Sequence, residues 1–162
     1  MSTGKLQITT PGDREIAMTR VFDAPRRLVF EAMTKPELVK RWLSGPPGWT
    51  MTVCTIDLRV GGHYRYEWRK DDGTTMCMGG TYREIVAPER VVQTEEFDEV
   101  WYPGEAVGTL VLVEQDGKTT ATTTVRYDSR ETRDAVLQSG MATGVEASYA
   151  NLDDVLASEL AA

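Results

Sequence analysis

Apolar and polar residues alternate from Glu15 to Phe22, with Ile16, Met18 and Phe22 on one face and Ala17, Thr19 and Val21 on the other. A period of two is that of an extended strand. Asp23-Ala24-Pro25 stops the strand and opens a helix, because proline fits the first helical turn, where its missing N–H costs nothing. That helix runs to about Met33 on Leu28, Val29, Phe30, Ala32 and Met33. Thr34 and Glu37 have the spacing of a capping box, and Pro36 falls in the first turn of a second short helix. This one carries Leu38, Val39, Trp42 and Leu43, and Ser44-Gly45-Pro46-Pro47-Gly48 terminates it.

A long β region follows. Met51 to Leu58 reads as a strand, and Gly61-Gly62 makes a turn. From His63 to Arg69 the alternation is strict: Tyr64, Tyr66 and Trp68 stand against His63, Arg65, Glu67 and Arg69. The charged partners must meet water, so the aromatic face points inward. Asp71-Asp72-Gly73 signals a hairpin, and Met76 to Val86 returns, with Gly79-Gly80 suggesting a bulge or bend. Pro88-Glu89 turns the chain into a strand from Val91 to Val100, and Tyr102-Pro103-Gly104 belongs to a connection. Gly108 to Glu114 and Thr119 to Tyr127 pair across the hairpin turn Gln115-Asp116-Gly117-Lys118. With no helices between them, these strands form an antiparallel sheet.

The chain ends in a long helix that Asp128 can cap. Leu137, Met141, Val145, Tyr149, Leu152, Val155, Leu156 and Leu160 form one stripe at spacings of three and four. About 30 residues at 1.5 Å each predict a helix about 45 Å long, enough to cross most of a six- or seven-stranded sheet. The expected class is therefore α+β: a strand, two short helices, about six strands of curved antiparallel sheet and a long C-terminal helix, the helix-grip arrangement. Residues 1–13 read as a flexible leader and 14–162 as a single domain. A twisted sheet grips one helix incompletely, and the geometry predicts a cavity between them.

Composition narrows the partners. A net charge of −7 leaves no surplus of Lys and Arg to neutralise phosphates, which argues against nucleic acid and against an anionic membrane surface. No run approaches the roughly 18 apolar residues of a membrane span, and the polar N-terminus lacks the apolar stretch of a signal peptide. Cys54 and Cys77 are too few for a secreted disulfide scaffold. The expected location is the cytoplasm.

Several segments, in order, resemble a known family. Phe22-Asp23-Ala24-Pro25, Val29-Phe30-Glu31-Ala32, Arg41-Trp42 and Gly45-Pro46 open the resemblance. Asp57-Leu58-Arg59, Gly61-Gly62, the stretch from Gly80 to Ile85 and Pro88-Glu89-Arg90 continue it, and Gly140-Met141 and Gly144 close it. The chain resembles the bacterial proteins related to the C-terminal domain of the activator of heat-shock protein 90 ATPase. They belong to the START-like (SRPBCC), birch-pollen-allergen-like superfamily. The resemblance implies a hydrophobic ligand held between sheet and helix, and raises a chaperone partner as a second role. Members commonly carry a tryptophan pair after the arginine of the second helix, whereas here Leu43 follows Trp42. That leaves one aromatic fewer at the pocket mouth. The eukaryotic activators also carry a separate N-terminal domain, for which 162 residues leave no room.

The residues offer little catalytic chemistry. His63 is the only histidine, on a charged strand face, and a zinc site would want two or three such ligands. Neither glycine pair lies between a strand and a helix, so neither is a phosphate loop. Glu67, Glu84, Glu95 and Glu96 read as solvated strand carboxylates, with Arg83 and Glu84 notable for lying in the family-like stretch. Gly140 and Gly144, four apart inside the expected helix, imply a close approach or a widened cavity there. No cofactor or metal is implied. The cavity candidates are Trp42, Trp49, Tyr64, Tyr66, Trp68 and Met76, followed by Met78, Tyr82, Glu84, Met141, Val145 and Tyr149. The expected function is binding of a small hydrophobic or amphipathic molecule. A chaperone partnership is one alternative; the other is a pocket-type cyclase or hydrolase using Tyr82, Glu84 and Tyr149. A homodimer is compatible with the sequence.

Overall fold

Alternation of side chains about an extended backbone builds most of this molecule. The computed structural model describes residues 4–44, 47–99, 102 and 104–162. The strands are Gln7–Thr9 (β1), Glu15–Phe22 (β2), Trp49–Ile56 (β3), His63–Lys70 (β4), Thr75–Val86 (β5), Arg90–Phe97 (β6), Ala106–Gln115 (β7) and Lys118–Arg126 (β8). The helices are Arg26–Thr34 (α1), Pro36–Trp42 (α2), Arg130–Gln138 (α3) and Met141–Ala161 (α4). All strands join one sheet in the order β1-β2-β8-β7-β6-β5-β4-β3, with every pair antiparallel. This is the α+β, helix-grip architecture.

The sheet has eight strands rather than about six. β2 enters it through β8, pairing along its whole length from Glu15↔Arg126 to Phe22↔Thr119. Residues 7–9, expected in the leader, pair with β2's other edge at Gln7↔Thr19, Ile8↔Met18 and Thr9↔Ala17. An open edge offers unmet backbone donors and acceptors, and Ile8 has apolar neighbours to pack against there. The fully positive turn at Asp116 (φ 53°) and Gly117 (φ 77°) closes the β7–β8 hairpin as expected.

The last helix departs from its expectation. One helix of about 30 residues is instead two, broken at Ser139-Gly140, because Gly140 sits at φ 83°, in the left-handed region that ends a helix. The cap of α3 is Ser129, whose hydroxyl accepts from the Thr132 N–H, and not Asp128. The expected Thr34–Glu37 capping box does not form either. Pro36 holds the residue before it extended, so Lys35 caps α2 and Thr34 donates its hydroxyl to the Phe30 carbonyl at 2.7 Å. Gly79-Gly80 is not the bulge of β5; the register shifts between Tyr82 and Glu84. Glycine at 80 is required because a Cβ there would run into the Thr94 carbonyl oxygen. Gly45 and Pro46, the expected end of α2, lie outside the described residues, as do Val100 and Pro103.

The interior divides in two. A larger core joins α1, α2 and the C-terminal half of α4 to the sheet through Phe22, Val29, Trp42, Tyr64 and Leu152. A smaller one joins α3 to β2 and β8 through Ile16, Met18, Val125 and Val136. Val145 packs against both. Among the described residues, no helix is long and apolar enough to cross a membrane.

Candidate ligand-binding cavity

The seam between the two cores is where the cavity lies. Leu152, Val155 and Leu156 bury the C-terminal half of α4, which packs against α1 and α2. Its N-terminal half stands over open space, which Met141, Gly144, Val145, Ser148 and Tyr149 border. The space measures about 400 Å³. Strand parity supplies its floor. β4 turns Tyr64, Tyr66 and Trp68 inward, 2%, 6% and 6% exposed, of which Tyr66 and Trp68 border the space and Tyr64 does not, and β5 brings Met76 and Met78 beside them, paired with Trp68 and Tyr66.

The two tryptophans in the wall present apolar faces because their indole donors are already engaged. Trp42 Nε1 donates to the Ala32 carbonyl at the end of α1, and Trp68 Nε1 to the Leu43 carbonyl beyond α2, each at 2.8 Å. Both indoles thus spend their only donor on helix-end carbonyls and present bare rings to the cavity. Tyr149 packs edge-on against Phe22 at 5.1 Å and tilted against Trp42 at 6.1 Å. Arg20, on the inward face of β2, lies over the Phe22 ring at 4.7 Å. It is held by Asp153 of α4 through two bonds of 2.7 and 2.5 Å.

Of the twelve candidates, Trp42, Tyr66, Trp68, Met76, Met78, Met141, Val145 and Tyr149 line this cavity. Trp49 does not; it packs on the rim of the larger core. Tyr82 packs against Tyr64 at 5.5 Å, and the Tyr64 hydroxyl donates to the Thr94 carbonyl at 2.5 Å. Glu84 is on the surface, in an ion pair with Arg90 at 2.9 Å, as Arg83 is with Glu105. Tyr82, Glu84 and Tyr149 therefore do not converge, and no three-group site forms from them. Of the paired glycines, Gly144 lines the cavity and Gly140 is the helix break.

One residue read as solvated is instead inside. β6 turns Val91, Gln93, Glu95 and Phe97 to the same face, and the last three line the cavity. Desolvation alone pushes the Glu95 carboxyl up to about 7, since burial disfavours its charged form. The signal was available: Glu95 shares its parity with Val91 and Phe97, but the polar run Thr94-Glu95-Glu96 conceals it.

A second, larger depression of about 530 Å³ lies on the outer side of the β4–β5–β6 bend. Its arginine and histidine are already engaged. Arg65 binds Glu67 at 2.6 Å and Asp98 at 3.0 and 2.6 Å, and exposed His63 contacts the Thr81 hydroxyl at 3.1 Å. Among the described residues no group of three His, Cys, Asp or Glu side chains is arranged to hold a metal. Cys54 and Cys77 are unbridged, and burial pushes the Cys54 thiol up to about 11.

Comparison with known proteins places this geometry. The model of the family described as Activator of Hsp90 ATPase homolog 1-like protein matches residues 23–157. A comparison with curated proteins gives no match. A solved Rhodobacter sphaeroides protein is 34% identical with a TM-score of 0.90, over 96% of this chain and 99% of that one. A Chromobacterium violaceum structure is 27% identical, with a TM-score of 0.78 over 90% of this chain and 98% of its own. A Mycobacterium smegmatis structure, 24% identical with a TM-score of 0.80 over 94% and 97%, shares the fold.

Proposed function

The chain belongs to the family of Activator of Hsp90 ATPase homolog 1-like proteins, and on that premise we propose that it holds a small hydrophobic or amphipathic molecule between its sheet and α4. The observation that carries the proposal is the cavity of about 400 Å³, within the roughly 300–1,000 Å³ of small-molecule sites. Its walls offer water few partners, because the indole donors are engaged, while they offer an apolar body contact on every side. Methionines at 76, 78 and 141 suit ligands of varied shape, since an unbranched thioether refits its surroundings. Two unbridged cysteines support a reducing compartment, the cytoplasm.

Trp42 and Trp68 report on occupancy directly. Titration with decanol, a neutral amphiphile, should change tryptophan emission saturably at one molecule per chain. Native mass spectrometry of the protein purified from its own host should reveal an apolar passenger of the same stoichiometry. Absence of both would remove the proposal.

The family's description supports a second reading, partnership with a heat-shock protein 90 homologue. An ATPase and pull-down assay with the host's own homologue tests it, and no binding with no stimulation would end it.

A further inference from the structure

Glu95 is the one acidic residue among the described residues that line the cavity, and none of them is Lys, Arg or His. Its position is built rather than incidental. Gln93 and Ala106 flank it through the β6–β7 register, and the carboxylate rests over Gly108 of β7. A Cβ at 108 would come within 2.6 Å of Glu95 Oε2, so a larger residue there would shift the carboxylate from this position. Among the described residues, no hydrogen-bond donor reaches it and no cation pairs with it; desolvation is all that acts on it. Among the described residues, every fully buried side-chain oxygen has a partner, so the unmet acceptor positions of Glu95 open into the cavity.

Resting on the cavity reading, we propose that the molecule held there is an amphipathic amine. Its apolar body lies among Met76, Met78, Leu110 and Val145, and its protonated nitrogen lies on the Glu95 carboxylate. An isolated carboxylate in an apolar wall is unfavourable, and a cation that brings its own donors offsets that penalty. Charge-assisted hydrogen bonds are about twice as strong as neutral ones, so an ammonium outranks a hydroxyl at this seat. The rings of Tyr66 and Trp68, 5.8 Å apart edge to face, add an attraction for cations that neutral or anionic heads lack. A carboxylate ligand would face repulsion from Glu95.

The surrounding groups leave Glu95 as the one that titrates. Tyr64 and Tyr66 of β4, Tyr102, and Tyr127 after β8 all feel its charge, and burial first of all holds each of these phenols above its ordinary range. Tyr149 of α4 is likewise raised by burial, and the nearest arginine on that side, Arg20, is bound to Asp153. With Glu95 held up to about 7, the carboxylate is protonated in mild acid and ionised in mild base.

The test is calorimetric titration of the full chain with decylamine, decanol and decanoate at about pH 5.5 and about pH 8, with Glu95→Gln alongside. Decylamine should gain about tenfold or more in affinity from the lower to the higher pH, and lose about tenfold at the higher pH in Glu95→Gln. Decanol should move less than about twofold in either comparison. Decanoate should bind more weakly than decanol and recover in the variant. Equal affinities for decylamine and decanol at about pH 8, unaltered by the pH change in the wild-type protein, would overturn the amine assignment and leave the cavity reading standing. Failure of all three probes to bind would overturn the cavity reading itself. The wild-type pH series decides the amine question without the variant.

Discussion

Burial moves the Glu95 carboxyl from 4.5 up to about 7, so between those values the native protein binds its proton more tightly than the unfolded chain does. The protein therefore loses stability as pH rises through that window, and above about 7 it carries the penalty of ionising a half-buried, desolvated carboxylate. At about 1.4 kcal/mol per pH unit, the penalty is about 3 kcal/mol. Glu95→Gln keeps the shape and cannot ionise. The variant should exceed the wild type by about 3 kcal/mol in urea denaturation at about pH 8, and the gap should close by about pH 4.5. A gap that does not depend on pH would place the carboxylate in water. The sequence exposes this residue only through parity. Val91 and Phe97 mark the inward face of β6, just as Tyr64, Tyr66 and Trp68 mark that of β4, but in β6 no charged residue alternates with every apolar one. Parity also states direction and not depth. Tyr82 and Trp49 point toward the interior, yet packing takes them up, and no sequence pattern separates a ring that fills a core from one that borders a void.

At the scale of the elements, the two glycines near the start of α4 behave as opposites. Gly140, at φ 83°, occupies a conformation that costs an L-residue about 1–2 kcal/mol, so Gly140→Ala should destabilise by that amount in urea or thermal denaturation. Gly144 is inside the helix, where alanine is favoured by about 1 kcal/mol. Gly144→Ala should stabilise the protein, and its methyl group should weaken decanol binding by intruding on the cavity. Equal effects at the two positions would contradict the helix break. The stripe from Leu137 to Leu160 was legible because three- and four-residue spacings run through it, but a stripe continues across a break when the next helix keeps the same face toward the core. That is why one helix was expected where two exist. The additional edge strand was hidden for a different reason. Three residues, Gln7 to Thr9, carry no periodicity of their own, and β2's open edge is what orders them.

The whole molecule sets close packing against the space beneath α4. Two cores meet at Val145, and the space between sheet and α4 is left unfilled. Interiors favour filled volume, so the cavity is a stability cost that a bound molecule offsets. Val145→Phe should place a ring in that space from the helix side. The unliganded variant should gain about 1 kcal/mol over the wild type in urea denaturation, as cavity filling commonly does. Ligand linkage then separates function from stability. Decanol at about a hundred times its Kd should add about 2.7 kcal/mol to the wild-type protein and raise its Tm, whereas the variant, already stabilised, should not respond. A variant that still gains stability from decanol would locate the molecule elsewhere, and the trough beside His63 and Arg65 would be the surface to mutate next. A variant that gains nothing from either change would mean that the ring does not enter the space, and Gly144→Leu, one residue nearer Gly140, would fill it from the same helix.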